Sequence, residues 1–107
     1  MFEDELQNNT EYIKEIIQTA KNRGIDVIII TLPVSDLYLR NISSGEYEIM
    51  QKELTKISEN YDVQYFNFMN DSRFNYKDFS DYDHMNQIGA NKFSALLKNE
   101  ILLKYIK

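Results

Sequence analysis

The stretch TEYIKEIIQTAKNRGIDVIIITLP, running from Thr10 to Pro33, decides the fold class. Ile13, Ile16, Ile17 and Ala20 recur at i, i+3, i+4 and i+7, which is one face of a helix spanning about Thr10 to Arg23. Asn9 or Thr10 can cap its start, and Lys21 and Arg23 suit the negative end of its dipole. Gly24 stands where a helix commonly ends on a left-handed residue. Ile25 to Leu32 follows at once, with β-branched residues at every position from Val27 to Thr31. Such an apolar run without alternation predicts a parallel strand covered on both faces. Pro33 has no N–H to give to a ladder and closes the strand.

The same order repeats downstream. Pro33 to Ser44 reads as a loop, and Ser43-Ser44-Gly45 can open a second helix. Tyr47, Met50, Leu54, Ile57 and Tyr61 form its apolar stripe, at steps of three and four, and Asn60 is the expected stop. Val63 to Phe68 reads as a second strand, the helix before it supplying the crossover that parallel pairing needs. Asn70 to Ser80 has no period, and loops of that length in compact domains are commonly functional. Asn86 can cap a third helix that carries Ile88, Phe93, Leu96, Leu97 and Ile101 on one side. The pattern α-β-α-β-α predicts a single α/β domain over residues 1–107 with parallel strands and helices on the sheet faces. Two strands leave two open edges, so the sheet should be completed by more chain, a third strand, or a partner such as a second copy.

Composition removes whole classes of function. Twelve Lys and Arg against seventeen Asp and Glu give a net charge of −5, which argues against nucleic acid and against an anionic membrane surface. The longest apolar run, Val27 to Ile30, is far too short to span a bilayer. The segment Met1-Phe2-Glu3-Asp4-Glu5 is acidic where a signal peptide would be basic. Without cysteine there is no disulfide, thiolate metal site or cysteine nucleophile.

The one histidine, His84, is the only conventional proton-transfer group near neutral pH, and it sits in Phe79-Ser80-Asp81-Tyr82-Asp83-His84-Met85-Asn86. A carboxylate three residues before a histidine, in a turn not yet helical, can fold back onto one ring nitrogen and free the other as a base. The alternative is that Asp81 and Asp83 merely complement the positive start of the last helix beside a surface histidine.

The segment Asp81-x-x-His84-Met85-Asn86-x-x-Gly89-Ala90-x-x-Phe93-Ser94 resembles the C-terminal block of the SGNH (GDSL-like) hydrolases. Tyr65-Phe66-Asn67-Phe68 with Asn70-Asp71 and Phe74, and the Thr10–Pro33 helix–strand unit, are similar to earlier parts of the same domain. The resemblance implies a three-layer, flavodoxin-like parallel sheet, here incomplete at two to three strands and corresponding to the C-terminal half. It implies His84 as catalytic base and Asp81 as its orienting carboxylate; Asp83 matches no family role, and could support the turn or raise the pKa of His84. By the same resemblance the substrate is a small or carbohydrate-borne acyl ester, hydrolysed or transferred without a cofactor.

The family's Gly-Asp-Ser block and its Gly-x-Asn-Asp block are both missing from these 107 residues, whose only glycines are Gly24, Gly45 and Gly89. A base without its nucleophile is expected to be inactive alone, and a missing N-terminal half would supply the rest. Ser35, just past the first strand, and Asn86 are the candidate substrate-contact residues; Ser35 reads equally as the cap of a short helix. Metal binding finds only an unpatterned set, Asp78, Asp81 and Asp83 with His84, so no metal centre is expected. Tyr65, Phe66, Phe68, Phe74, Tyr76, Phe79 and Tyr82 could stack on a ligand, but core packing is their ordinary use. The competing reading is a non-catalytic α/β interaction or dimerisation module with an idle Asp–His pair.

Overall fold

Two long helices each end by turning the chain through a left-handed residue, and a strand follows within a few residues. The computed structural model describes residues 2–81 and 83–105 and divides into two compact units. The first holds the chain up to Thr31 together with Ile42–Asn67; the second holds Leu32–Asn41 and the chain from Phe68 onward. Within the first unit, helix α1 spans Phe2–Asn22, strand β1 Ile28–Thr31, helix α3 Ser44–Tyr61 and strand β2 Gln64–Asn67. The second unit carries the short helix α2 (Asp36–Asn41), a 3-10 turn at Tyr76–Asp78 and helix α4 (Gln87–Leu97). Helix α4 runs on through a wide turn at Lys98–Leu102 into a final turn at Leu103–Tyr105. The protein is thus mixed α/β, mostly helical, with a two-stranded parallel sheet.

The end of α1 is a Schellman motif. The N–H of Ile25 reaches back to the carbonyl of Ala20 and that of Gly24 to Lys21, with Gly24 at φ 73°. Helix α3 ends the same way on a residue that has a side chain: Asp62 lies at φ 53°, and the N–H of Val63 bonds the carbonyl of Ser58. The stop is therefore Asp62, not Asn60. Each reversal leads into a strand, and the strands pair in parallel with Ile28 opposite Gln64 and Thr31 opposite Asn67.

Helices α1 and α3 supply the core of this unit through Ile17 and Ile57, with Val63 beside them, and Ile13, Val27, Ile29 and Tyr61 pack around that cluster. Ile17 and Ile57 are each 1% exposed, and complete burial of one such side chain contributes about 1.5–3 kcal/mol of transfer free energy. Hydrogen bonds tie strand to strand and strand to helix. Thr31 Oγ1 donates to Asn67 Oδ1 at 2.6 Å, Asn67 Nδ2 to the Tyr47 hydroxyl at 2.9 Å, and the Tyr65 hydroxyl to Gln51 Oε1 at 2.6 Å.

Several expectations need correction. Helix α1 begins well before Thr10, whose buried hydroxyl bonds the carbonyl of Gln7 inside the helix instead of capping it. Strand β1 is four residues, not eight: Ile25 and Leu32 lie outside it and are more than half exposed. All four β1 residues are half-buried, so its apolar run does not signal complete cover on both faces. The expected loop from Pro33 to Ser44 contains α2, with Ser35 at its head. The expected second helix is capped at Ser43, whose Oγ accepts the N–H of Glu46. The third is capped at Asn86, whose Oδ1 accepts the N–H of Gly89.

In the second unit, Phe93 meets Phe68 edge-on at a centroid distance of 5.4 Å and Phe74 at 6.2 Å, while Leu96 and Ile101 are buried further along. The aromatics Phe68, Phe74 and Phe93 therefore do core work, whereas Tyr76 is 80% exposed and Tyr82 lies outside the described residues. Ile88 does not join this core; it is exposed on the first turn of α4. Gly89 allows α4 to lie against the 3-10 turn: a Cβ there would collide with the carbonyl oxygen of Asp78.

The two glycines separate a conformational demand from a spatial one. Gly24 has open space where a Cβ would go, so Gly24→Ala should cost about 1–2 kcal/mol, from the left-handed backbone alone. Gly89 faces a hard backbone contact instead, and Gly89→Ala should cost about 1–3 kcal/mol as overpacking. Urea unfolding followed by circular dichroism measures both; an unchanged midpoint in either variant contradicts the account given for that glycine.

Candidate functional site

The Asp81–His84 segment hangs from a short antiparallel closure in the second unit. Phe79 and Met85 form an isolated bridge, Ser80 N–H bonds the His84 carbonyl at 2.8 Å, and Asn86 N–H bonds the Asp78 carbonyl at 2.9 Å. Within that closure the Asp81 carboxylate organises the turn. Its Oδ1 accepts the backbone N–H of His84 at 2.9 Å and that of Asp83 at 3.2 Å, the pattern of an Asx turn. The same carboxylate meets the His84 ring at Nδ1, 2.8 Å from Oδ1 and 3.0 Å from Oδ2. A carboxylate only accepts, so Nδ1 carries the proton and the neutral ring presents its lone pair at Nε2. Nε2 makes no hydrogen bond among the described residues, and the side chain is 71% exposed.

Electrostatics act in one direction here. The hydrogen bond that His84 donates to Asp81 raises the His84 pKa above its ordinary value, and the charges of Asp81 and then Asp83 add to it. Asp83 Oδ1 lies 3.0 Å from Nδ1. Of its two alternatives, Asp83 therefore acts as a second anion on the ring. In return, the bond to His84 holds the Asp81 carboxyl below the usual carboxylate range. Solvent screens these exposed partners, so the effect is on protonation and ring orientation more than on folding.

The other two candidates, Ser35 and Asn86, each cap a helix. Ser35 Oγ accepts the N–H of Tyr38 at 3.2 Å and its carbonyl accepts that of Leu39, so it caps α2. No serine hydroxyl bonds His84 among the described residues. Asn86 uses both ends of its amide, with Nδ2 donating to the Lys77 carbonyl at 2.7 Å and Oδ1 capping α4. Asp81, Asp83 and His84 each offer one ligand atom, all within 4.8 Å of one another and exposed, two carboxylate oxygens and one ring nitrogen, far short of the six or more oxygens a hard cation takes. Asp78 is not part of this set. Its side chain, 2% exposed, accepts from Lys92 Nζ at 2.7 Å and from the N–H of Asn75 at 2.9 Å. The Lys92 ammonium keeps that carboxyl below its usual range, also donates to the Arg73 carbonyl, and lies 5.3 Å over the Phe74 ring. Arg73 in turn bridges Asp71 and Glu100.

Sequence reasoning missed this anchoring of the site. Its local trace is Asn75-x-x-Asp78, the spacing of a capping box, in which Asn75 Oδ1 also accepts the N–H of Lys77. Its non-local half, Gly89 against Asp78, leaves no sequence signature.

A family of proteins of unknown function has a model that matches residues 4–105, and the chain belongs to that family. No curated protein matches it. No helix among the described residues is long and apolar enough to cross a membrane.

The pairing makes a pH statement with a definite sign. Because the folded pKa of His84 is raised, the stabilisation from its ion pair is complete below the unfolded value of about 6.5 and fades as pH rises through the folded value. With a single histidine in the chain, its ring proton resonances report the titration without ambiguity. Asp81→Asn should lower the midpoint towards the ordinary value, and Asp83→Asn should lower it less. A midpoint unmoved by Asp81→Asn would remove the orienting role.

Proposed function

We propose that Asp81 and His84 form the proton-relay part of an SGNH-type serine ester hydrolase or acyltransferase site, this chain corresponding to the C-terminal half of a flavodoxin-like domain of that type. The nucleophilic serine and the oxyanion-hole donors come from another stretch of polypeptide. The observation that carries this is the Asp81 carboxylate at 2.8 Å from Nδ1, with Nε2 unbonded among the described residues.

In this reading Nε2 takes the proton from the serine hydroxyl as its oxygen attacks the acyl carbonyl of a small or carbohydrate-borne ester. Asp81, aided by Asp83, stabilises the imidazolium so formed. Collapse of the tetrahedral intermediate breaks the ester C–O bond, and the proton passes from Nε2 to the departing alkoxide. Water, or an acceptor alcohol in the transferase variant, then gives its proton to Nε2 while attacking the acyl-enzyme. The returned proton regenerates the serine. No cofactor takes part.

The sheet supports a second reading, a non-catalytic interaction module. Each of its two strands has only one strand neighbour among the described residues, and open edges invite partners.

Activity measurements divide the two. The 107 residues alone should neither turn over short-chain acyl esters nor react with a fluorophosphonate that labels activated serines. The entire reading frame that encodes them should do both, and His84→Ala should lower its kcat by about a thousand-fold or more while its circular dichroism spectrum is unchanged. Full esterase turnover in His84→Ala, or a reading frame inert to ester and fluorophosphonate alike, would leave the interaction module as the reading.

A further inference from the structure

We propose that the outward face of α1 is a two-fold interface on which a second copy of this chain packs antiparallel. This stands on the first unit alone and is independent of the Asp–His reading.

The buried face of α1 is formed by Ile13 and Ile17, but Ile16 does not share it. Ile16 is 66% exposed and Tyr12, one turn earlier, is 65% exposed. Beyond the Schellman turn, Ile25 adds a third exposed apolar side chain, at 55%. A shallow groove of about 400 Å³ runs along this face, lined by Glu15, Ile16, Thr19, Ala20, Arg23 and Ile25. Large apolar side chains gathered on one exposed face mark an interaction surface more often than scattered ones do.

The chemistry of the face selects its occupant. Tyr12, Ile16 and Thr19 lie along α1 and Arg23 in the turn just past its end, at sequence steps of four, three and four. That spacing reads the same in both directions. An antiparallel copy therefore lays Tyr12 opposite Arg23 and Ile16 opposite Thr19, twice over, as a closed two-fold interface requires. Glu15 stands three residues from Tyr12, about 4.5 Å along the axis, within reach of the copy's Arg23. Neither the Glu15 carboxylate nor the Arg23 guanidinium has a hydrogen-bond or ion-pair partner among the described residues. The pairing supplies both: the guanidinium lies on the Tyr12 ring and against the Glu15 carboxylate, at each end of the contact. Three turns of helix bury less than an obligate dimer does, so the association is reversible.

Sedimentation equilibrium of the chain from micromolar to millimolar concentration tests this. The expected result is a monomer–dimer equilibrium, with Ile16→Glu raising the dissociation constant by about tenfold or more, as loss of a central apolar contact does. Arg23→Glu should weaken the dimer and Glu15→Arg added to it should restore it. Register has its own readout in a chain that lacks cysteine. Ile16→Cys and Thr19→Cys chains, mixed and oxidised in air, should cross-link to each other faster than either does to itself. All these side chains are exposed, and unchanged helicity by circular dichroism serves as the folding control. A chain that stays monomeric throughout, a dimer indifferent to Ile16→Glu, or a charge swap that fails to rescue each overturns the proposal; the first would give the face to a different partner.

Discussion

Two left-handed residues govern how the sheet-bearing unit is built. Gly24 and Asp62 each follow the last turn of a long helix, and each sends the chain back into a strand within a few residues. Because the reversal is the same both times, β1 and β2 run in parallel, and α1 and α3 lie where Ile17 and Ile57 can meet. A two-stranded parallel sheet has little stability of its own. Here it persists because the helices attached to it bury a shared apolar cluster and because Tyr65 and Asn67 hydrogen-bond to α3.

The second unit solves a different problem, how to hold a short acidic loop in one shape on the surface. Close contact between Gly89 and the Asp78 backbone lets α4 begin beside the 3-10 turn, and Asn86 staples the two through Lys77 and Gly89. Asp78 itself is buried against Lys92. Desolvating such a pair costs much of what its attraction returns, but removing either partner would strand a buried charge, so the pair makes the arrangement specific. On that base a single carboxylate, Asp81, accepts two backbone N–H groups and the imidazole N–H together. The ring is oriented by the same atoms that define the turn, an economical route to a poised base on an exposed loop.

Legibility followed the range of the interactions. The Asp81–His84 contact spans three residues and is visible as a spacing; so are the caps at Ser43 and Asn86 and the glycine that ends α1. Helix α2 escaped notice because its six residues contain none that is buried, so no apolar stripe announces it. The periodic apolar face of α1 was wider than the face that packs: Ile16 belongs to the pattern and not to the core. Ile88 misleads in the same way on α4. Strand β1 is shorter than its β-branched run because only four of its residues find a partner in β2. Asp83 reaches the imidazole through the curl of the turn, which residue order alone does not specify.

Residue order by itself determined the helix–turn–strand rhythm and the carboxylate three places before the histidine, since each depends on neighbours within a few residues. Tertiary structure alone decided which apolar side chains are covered, how Asp78, Lys92 and Gly89 support the loop, and which face of α1 stays exposed. These depend on the burial and close approach of segments far apart in the chain, and no local pattern encodes them.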